Sequence, residues 1–349
     1  MNNIQLPSQN RLTIEQQLIL NEKNSVGIFG GAGTGKTIIS IHRHIENWEK
    51  RNIKSFLITY THTLTYYFEK ILPNESLEAS KNVDNIDNFL KRFEKGEFSE
   101  IEELIIDEAQ DITLEIHKQL KEKFKISYGA DDNQILYPHK SSSKSELTAL
   151  HSENKNFTVT QNFRNSFNIL KFVDSVFPNR LSAELLEYSK IHYAKSKTKP
   201  NLVYSNNKTE LEKALIKLIK KISPKESLAI LVPTKELMLF YRELFTKENI
   251  EYSTYYYEDN KKAETKIRNN GISRIHLTPF KSSKGLEFDN VIMPNFHEFN
   301  FWKTEHKYVV KESDYYVGMT RAKNNLFLFT ENISILDYVD SETCLIKNI

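Results

Sequence analysis

The chain has 349 residues, of which 39% are hydrophobic, and its formal net charge at pH 7 is +2. This length and apolar content suffice for two domains with buried cores, and the weak net charge predicts that any nucleic acid binds in a local groove. The single cysteine, Cys344, excludes a disulfide framework and a cysteine-ligated metal site. Neither an apolar leader nor a membrane-spanning run occurs, so we expect a soluble, cytoplasmic protein with no membrane partner.

Short apolar runs alternate with longer amphipathic ones along the chain. In the first half, SVGIFG, SFLITYT and ELIIDEA are strand candidates, with helical patterns at residues 34–50 and 63–72 between them. This alternation predicts βα units around a mostly parallel sheet. After the polar run at residues 141–145, helical patterns at 208–222, 235–248 and 313–323 alternate with the strand candidates FTVTQNF, NLVYS, SLAILVPT, RIHLTPF, NVIMPNF and NNLFLFT.

The two series of elements predict two α/β domains. We place the first at residues 1–155 and the second at residues 156–349, with the boundary in the segment 154–161. No internal repeat and no low-complexity segment interrupts either series.

The strongest local signal lies between the first strand and the first helix. The sequence GGAGTGKT matches the P-loop pattern, and the preceding strand and following helix are the context that this motif requires. Its glycines let successive backbone N–H groups turn toward one anion, and the helix N-terminus adds positive charge there. The predicted nucleotide-binding residues of the motif are Gly30, Gly31, Ala32, Gly33, Thr34, Gly35, Lys36 and Thr37.

Two adjacent carboxylates follow the strand LII. An Asp-Glu pair alone is usually solvated surface, but at a strand end downstream of a P-loop it favours nucleotide hydrolysis. We expect Asp107 and the Thr37 hydroxyl to bind Mg²⁺, a cation that prefers oxygen ligands. Glu108 is then the candidate to orient or deprotonate the attacking water, and Lys36 is expected to reach the β- and γ-phosphates of ATP.

The run DEAQD and further motifs in matching order resemble the UvrD/Rep/PcrA type of superfamily 1 DNA helicases. The resemblance implies two RecA-like P-loop domains that use ATP and Mg²⁺. Through the run LTIEQ it implies that Gln16 recognises the adenine edge, although the run also fits an ordinary helix start. Through GADDNQ it implies that Gln134 contacts the γ-phosphate.

The resemblance extends to residues 161–164, 282–288 and 316–323, which read QNFR, SSKGLEF and YVGMTRAK. It implies that Phe163 stacks on adenine, where the family more often has tyrosine, and that Glu287 contacts the ribose. It also implies that Arg164 touches the γ-phosphate and that Arg321 is an internal arginine finger, with hydrolysis requiring the two lobes to close. Each arginine taken alone fits an ordinary surface position. The predicted catalytic set is Lys36, Glu108, Gln134, Arg164 and Arg321.

Nucleic-acid contacts are the less complete part of the resemblance. It implies that Tyr60 stacks on bases and that Thr61 and His62 lie near a phosphate, although Tyr60 also fits a half-buried strand position. Lys281 stands where the family has histidine, and with Ser282 it is either a phosphate contact or plain loop. His139 aligns with a second stacking aromatic of the family, and the arginine-aromatic-arginine-glycine run expected there is absent.

The spacing of the motifs leaves room for core elements only. Relatives carry a large insertion between the motifs of each RecA-like domain. We therefore predict a minimal ATP hydrolase that moves along single-stranded DNA, with RNA less favoured. By resemblance its polarity is 3′ to 5′, and unwinding is expected to depend on a partner. The alternative is a nucleotide-gated regulatory subunit of a nuclease or defence complex that does not translocate, and a third interpretation is an ATPase unrelated to nucleic acid.

Overall fold

The structure, a computed structural model, describes residues 6–137, 140–192, 198–254, 271–296 and 312–349. The chain divides into two compact units, which we call the first domain (Asn3–Thr160) and the second domain (Gln161–Ile349). In the described part of both domains the strands pair in parallel and alternate with helices along the chain. The predicted fold class, α/β with mostly parallel sheets, is confirmed.

The sheet of the first domain brings three strand ends together. Its described strands follow the order β3-β2-β4-β5-β1-β6, so β4, β5 and β1 are neighbours. Because these strands are parallel, their carboxyl ends at Ile106, Ala130 and Gly30 meet at one edge of the sheet. The strands are β1 (Val26–Gly30), β2 (Ser55–Thr59), β3 (Val83–Asn85), β4 (Glu103–Ile106), β5 (Lys125–Ala130) and β6 (Lys155–Val159).

Helices connect these strands, and most begin at a polar capping residue. Thr13, Thr61, Thr113 and Ser143 each accept a hydrogen bond from a backbone N–H of the first helical turn, which satisfies a donor that the helix cannot. The helices are α1 (Ile14–Asn21), α2 (Lys36–Glu46), α3 (His62–Glu75), α4 (Leu77–Lys81), α5 (Ile86–Phe93), α6 (Leu114–Lys121) and α7 (Lys144–Leu150).

Both faces of the first sheet are buried. Along β4, Leu104 and Ile106 belong to one apolar cluster, whereas Ile105 belongs to another that includes Leu57 and Ile41. Successive strand residues point to opposite faces, so a strand covered on both faces reads as an unbroken apolar run. This explains why ELII and SFLIT contain no polar alternation.

Strand β6 belongs to the sheet of the first domain. It pairs with β1 along its whole length, from Val26 beside Lys155 to Gly30 beside Val159. The run FTVTQNF therefore starts in the first sheet. The division lies at Thr160/Gln161, which is past the 155/156 bound and inside the predicted segment 154–161. The polar run at residues 141–145 leads into α7, where Ser143 is the N-cap.

The second domain has a larger parallel sheet. Its described strands follow the order β13-β7-β12-β11-β8-β10-β9. An apolar cluster on this sheet includes Ile230, Leu277, Ile292 and Phe329, which come from four different strands. The strands are β7 (Asn201–Tyr204), β8 (Leu228–Val232), β9 (Ser253–Thr254), β10 (Ile275–Pro279), β11 (Phe288–Met293), β12 (Ala322–Thr330) and β13 (Leu345–Asn348).

One helix of the second domain is shorter than its sequence pattern predicts. The pattern extends to residue 323, but the helix ends at Met319 and β12 begins at Ala322. The side-chain amide of Asn165 donates to the carbonyls of Thr320 and Ala322, which holds the chain outside helical geometry at this point. The helices are α8 (Phe167–Val176), α9 (Ala183–His192), α10 (Lys208–Lys221), α11 (Lys235–Lys247) and α12 (Glu312–Met319).

A buried ion pair joins α2 to the start of β4. Arg43 Nε donates to Glu103 Oε1 at 3.0 Å, and the two side chains are only 2% and 3% exposed. The other carboxylate oxygen of Glu103 accepts from Asn47 Nδ2 at 2.6 Å, and Ser127 Oγ donates to Oε1. Arg43 therefore neutralises the charge of Glu103, and both oxygens of this carboxylate accept hydrogen bonds.

Glu103→Gln should strongly destabilise the first domain. The substitution keeps the shape but leaves the buried Arg43 guanidinium without its counter-charge, a situation that typically costs about 3–5 kcal/mol. Urea unfolding followed by circular dichroism measures the loss. Glu100→Gln is the matched control, because Glu100 pairs with Lys54 at the exposed surface, and it should leave the unfolding midpoint unchanged. An equal, small effect of both substitutions would contradict the interpretation.

Candidate functional site

The P-loop connects β1 to α2 and has the backbone conformation that an anion site requires. Gly33 and Gly35 have φ angles of 75° and 87°, in the left-handed region that glycine adopts without strain. Gly35 is the N-cap of α2, and Lys36 is its first residue. The loop therefore ends at a helix N-terminus, where backbone N–H groups and the helix dipole favour a phosphate.

Lys36 lies against the loop that it follows. Its Nζ donates to the carbonyl oxygens of Gly30 at 2.7 Å and Gly31 at 3.0 Å, and the residue is 7% exposed. The ammonium group is thus held against the backbone of the loop that is predicted to bind the phosphates.

Thr37 and Asp107 are brought together by the strand order. Thr37 Oγ1 donates to Asp107 Oδ2 at 2.9 Å, and Asp107 is 1% exposed. A hydroxyl and a carboxylate are hard oxygen ligands of the kind that Mg²⁺ prefers, so these two side chains would hold the metal. The chemistry of these donors fits the predicted metal.

Glu108 follows Asp107 and has an unusual backbone. Its φ and ψ are 59° and 44°, a left-handed conformation that costs a non-glycine residue free energy and is often associated with functional sites. The turn after it is held by His117, whose Nε2 lies 3.0 Å from the carbonyl oxygen of Ala109 and must donate to it. Burial lowers the pKa of His117, although the bond to Ala109 opposes the shift, so this ring is a neutral donor.

Two glutamines predicted to contact the nucleotide are buried in the first domain. Gln16 completes a capping box with Thr13, and its Nε2 donates to the P-loop carbonyl of Thr34 at 3.4 Å. Gln134 lies in the turn after β5 and donates from Nε2 to Asp131 Oδ2 at 2.6 Å. Gln16 therefore lies beside the P-loop, and Gln134 lies after a neighbouring strand of the same sheet.

In the second domain, Arg164 and Glu287 form an ion pair with Nε 3.0 Å from Oε2. Lys323 lies on the other side of the same carboxylate, with its Nζ 3.6 Å from Oε1. Burial would raise the pKa of Glu287, but Arg164 and then Lys323 more than offset that effect, so the pKa lies below its ordinary value. Two residues with separate predicted roles are thus direct partners.

Arg321 is buried and bound within its own domain. Its Nε donates to the carbonyl of Val317 at 2.9 Å, Nη1 to the carbonyl of Leu286 at 3.3 Å and Nη2 to Thr320 Oγ1 at 3.2 Å. Phe163 differs: it is 37% exposed and meets the ring of Tyr188 edge-on, with centroids 5.9 Å apart. Phe163 therefore offers ring surface, as stacking on adenine requires.

The predicted nucleic-acid residues after β2 are partly exposed. Tyr60 packs against the apolar cluster of the first domain, and burial followed by the Asp111 carboxylate raises its pKa. The Thr61 hydroxyl caps α3 by accepting from the N–H of Leu64 at 3.3 Å. His62 Nδ1 accepts from Asn85 Nδ2 at 3.1 Å, which assigns the proton of the neutral ring to Nε2.

Of the remaining nucleic-acid candidates, two belong to the second domain and one to the first. Lys281 and Ser282 lie in a short turn after β10, and Lys281 Nζ is 3.9 Å from the buried Asp314 carboxylate. His139 lies outside the residues that the structure describes. Taken with Tyr60, these observations give the nucleic-acid contacts weaker geometric support than the nucleotide-binding residues have.

Sequence reasoning missed three polar residues of these sites. Gln110, within the run DEAQD, bonds the Glu108 carboxylate; Asn165 fixes the backbone on both sides of Arg321; and Lys323 pairs with Glu287. Each is adjacent or nearly adjacent to a predicted residue. The available signal in the sequence was a polar residue inside a motif for Gln110 and directly after one for Asn165. Both side chains are fully buried in the structure.

The fold and the P-loop define the chain as a nucleotide-binding α/β protein with two parallel-sheet domains. Two family models match it: an AAA domain at residues 15–138 and a UvrD-like helicase C-terminal domain at residues 257–332. A protein of Acanthamoeba polyphaga mimivirus named "Putative ATP-dependent DNA helicase" is 26% identical over 299 residues, 77% of this chain. The chain spans 41% of that relative's length.

Two solved structures share the fold. S. cerevisiae Dbp5 bound to RNA and ADP BeF3 is 11% identical, covers 97% of this chain and 89% of its own, and has a TM-score of 0.61. A variant of Dbp5 with the same ligands gives a TM-score of 0.57. Both domains have the RecA-like fold, and the two family models and the mimivirus relative make the chain similar to UvrD/Rep-like superfamily 1 helicases. In the ranges that the structure describes, no helix is long and apolar enough to cross a membrane.

Proposed function

We propose that this protein hydrolyses ATP with Mg²⁺ and couples hydrolysis to movement along single-stranded DNA. The observation that carries the proposal is the constellation at the carboxyl edge of the first sheet. There the P-loop ends at α2, Thr37 bonds Asp107 at 2.9 Å, and Glu108 follows in a left-handed conformation. This constellation matches what a P-loop hydrolase needs to hold phosphates, a metal and an attacking water.

The residues of the first domain divide the chemistry between them. Backbone N–H groups of the P-loop and the Lys36 ammonium hold the phosphates, and Thr37 and Asp107 hold the metal. When bound, Mg²⁺ supplies charge neutralisation to the phosphate oxygens. Glu108 accepts the proton of the attacking water. Gln16 contacts the adenine, and Gln134 contacts the γ-phosphate.

The family resemblance assigns the remaining chemistry to the second domain. Phe163 stacks on adenine, and its exposed ring supports that role. Glu287 binds the ribose, while Arg164 and Arg321 neutralise charge that develops on the transferred phosphoryl group. The ion pair of Arg164 with Glu287 supports a shared site for these residues, because it fixes both side chains at one place in the domain.

Single-stranded DNA is the proposed partner because the family is one of DNA helicases, and a mimivirus relative carries that activity in its name. The polarity, 3′ to 5′, follows from the resemblance. The segment from Thr37 to Asp107 is described throughout and is built from strands of the first sheet and the helices between them. This segment holds no inserted domain, so we propose that unwinding depends on a partner such as a nuclease or effector.

ATP turnover with and without a long single-stranded oligonucleotide tests the DNA-dependent part of the proposal. We expect the oligonucleotide to raise kcat at least several-fold, because a motor that moves along DNA couples its hydrolysis to the bound strand. Double-stranded DNA and single-stranded RNA of the same length are the comparison substrates. Equal turnover with all of them and with none would contradict DNA dependence.

A second candidate function is a nucleotide-gated switch that controls a partner without moving. The partial burial of Tyr60 against the core favours it, since a base-stacking platform needs an open ring face. Such a protein would hydrolyse ATP and bind DNA but would not advance along the strand. Directional movement is therefore the property that separates the two functions.

A further inference from the structure

Gln110 is fully buried, and three segments of the first domain meet at it. Its Nε2 donates to Glu108 Oε2 at 2.7 Å, and its Oε1 accepts from the backbone N–H of Asp131 at 3.1 Å. Its own carbonyl accepts from the N–H of Ser142 at 3.0 Å. The segment after β4 is thereby joined to the segment after β5 and to the loop that enters α7.

The orientation of the Gln110 amide is fixed by chemistry. A backbone N–H can only donate, so the atom facing Asp131 must be the amide oxygen, and the NH₂ group must then face Glu108. The same segment continues to Gln134, whose Nε2 donates to Asp131 Oδ2 at 2.6 Å. One amide therefore connects the Glu108 carboxylate to the segment that carries Gln134.

We propose that Gln110 is a positioning residue for ATP hydrolysis, which holds the Glu108 carboxylate and couples its placement to the Gln134 segment. The inference rests on the proposed function, in which Glu108 activates water. Glu108 has a left-handed backbone conformation, and the bond from Gln110 at 2.7 Å fixes one oxygen of its carboxylate. Gln110 makes this contact from a fully buried position.

Loss of this contact should affect the rate of hydrolysis and not the binding of ATP. Gln110→Met keeps the length of the side chain and removes both hydrogen bonds. We expect kcat to fall by about 10–100-fold, the usual effect of losing an orienting hydrogen bond behind a functional group. The KM for ATP and the Kd for a fluorescent ATP analogue should stay within about threefold of wild type, because the phosphate-binding residues remain in place.

Asn154→Leu is the matched control. Asn154 is another buried amide of the first domain, and it donates to the carbonyl of Ile126 at 2.8 Å without contacting Glu108. Its replacement should lower the melting temperature but leave kcat within twofold of wild type. A merely structural role of Gln110 predicts instead that both substitutions lower stability and that neither lowers kcat.

Gln110→Glu tests the inference if the methionine variant does not fold. It preserves shape and the acceptor for Asp131 but places a carboxylate against Glu108, and kcat should fall at least as far as in Gln110→Met. The inference is overturned if a folded Gln110 variant keeps kcat within twofold, or if KM rises by the factor by which kcat falls. Two assays run alongside separate this inference from the proposed function. Absence of ATP hydrolysis by the wild-type protein would overturn the proposed function, and full hydrolysis by Glu108→Gln would overturn the role of Glu108 on which the inference rests. Loss of hydrolysis in Glu108→Gln with active Gln110 variants would overturn only the role of Gln110.

Discussion

Glu108→Gln is expected to lower kcat for ATP hydrolysis by about 10²–10⁴-fold, the range that general-base catalysis contributes, while ATP binding persists. The amide cannot accept a proton from water, yet it has the same shape and removes no contact between the P-loop and phosphate. Asp107 and Thr37, which bond each other, are left in place. The measurements are steady-state turnover and equilibrium titration with a fluorescent ATP analogue.

Two further variants make the Glu108 result specific. Glu115→Gln alters an exposed carboxylate at the start of α6 and should leave turnover unchanged. Lys36→Ala should weaken nucleotide binding as well as turnover, because its ammonium lies on the P-loop itself. If Glu108→Gln hydrolyses ATP at the wild-type rate, Glu108 has no part in activating water.

Arg164→Ala is expected to lower kcat by about 10³-fold or more, the effect of removing an arginine that neutralises phosphoryl charge. The difficulty is that Arg164 also pairs with Glu287, so its loss could act through that carboxylate. Lys323→Ala separates the two effects, since Lys323 approaches Glu287 from the other oxygen. We expect Lys323→Ala to change kcat by less than about fivefold, because a partly exposed ion pair contributes little.

The comparison of these two variants decides the role of Arg164. Turnover and ATP affinity are measured for both at saturating oligonucleotide. A large loss of kcat in Arg164→Ala alone supports a direct action on phosphate. Equal losses in the two variants would show that Arg164 only supports Glu287. Unchanged turnover in Arg164→Ala would show that Arg164 takes no part in hydrolysis.

The sequence was sufficient to predict the fold class and the P-loop, because both depend on local patterns. Glycines, lysine and threonine in fixed order between an apolar strand and a helix define the phosphate loop without knowledge of distant contacts. Thr37 and Asp107, which were each predicted to bind Mg²⁺, bond each other in the structure because parallel strands place their carboxyl ends together. Roles implied by the resemblance, including those of Gln16 and Arg321, stay predictions.

Contacts between residues far apart in the chain could not be predicted from the sequence. Strand β6 joins the edge of the first sheet beside β1, and no local pattern in FTVT indicates which sheet it enters. The ion pair of Arg164 with Glu287 links residues that are 123 positions apart, and the bond from Gln110 to Asp131 spans 21. The packing of Tyr60 against the core likewise depends on neighbours from other elements.

Displacement of streptavidin from biotinylated single-stranded DNA tests the central claim most directly. We expect the protein with ATP and Mg²⁺ to release streptavidin from a 5′-biotinylated end far faster than Glu108→Gln does. Release of streptavidin from a 3′-biotinylated end should be slower. This outcome requires hydrolysis to produce directed movement, which a nucleotide-gated switch cannot do. DNA-stimulated hydrolysis with no streptavidin release from either end would contradict translocation and favour the switch.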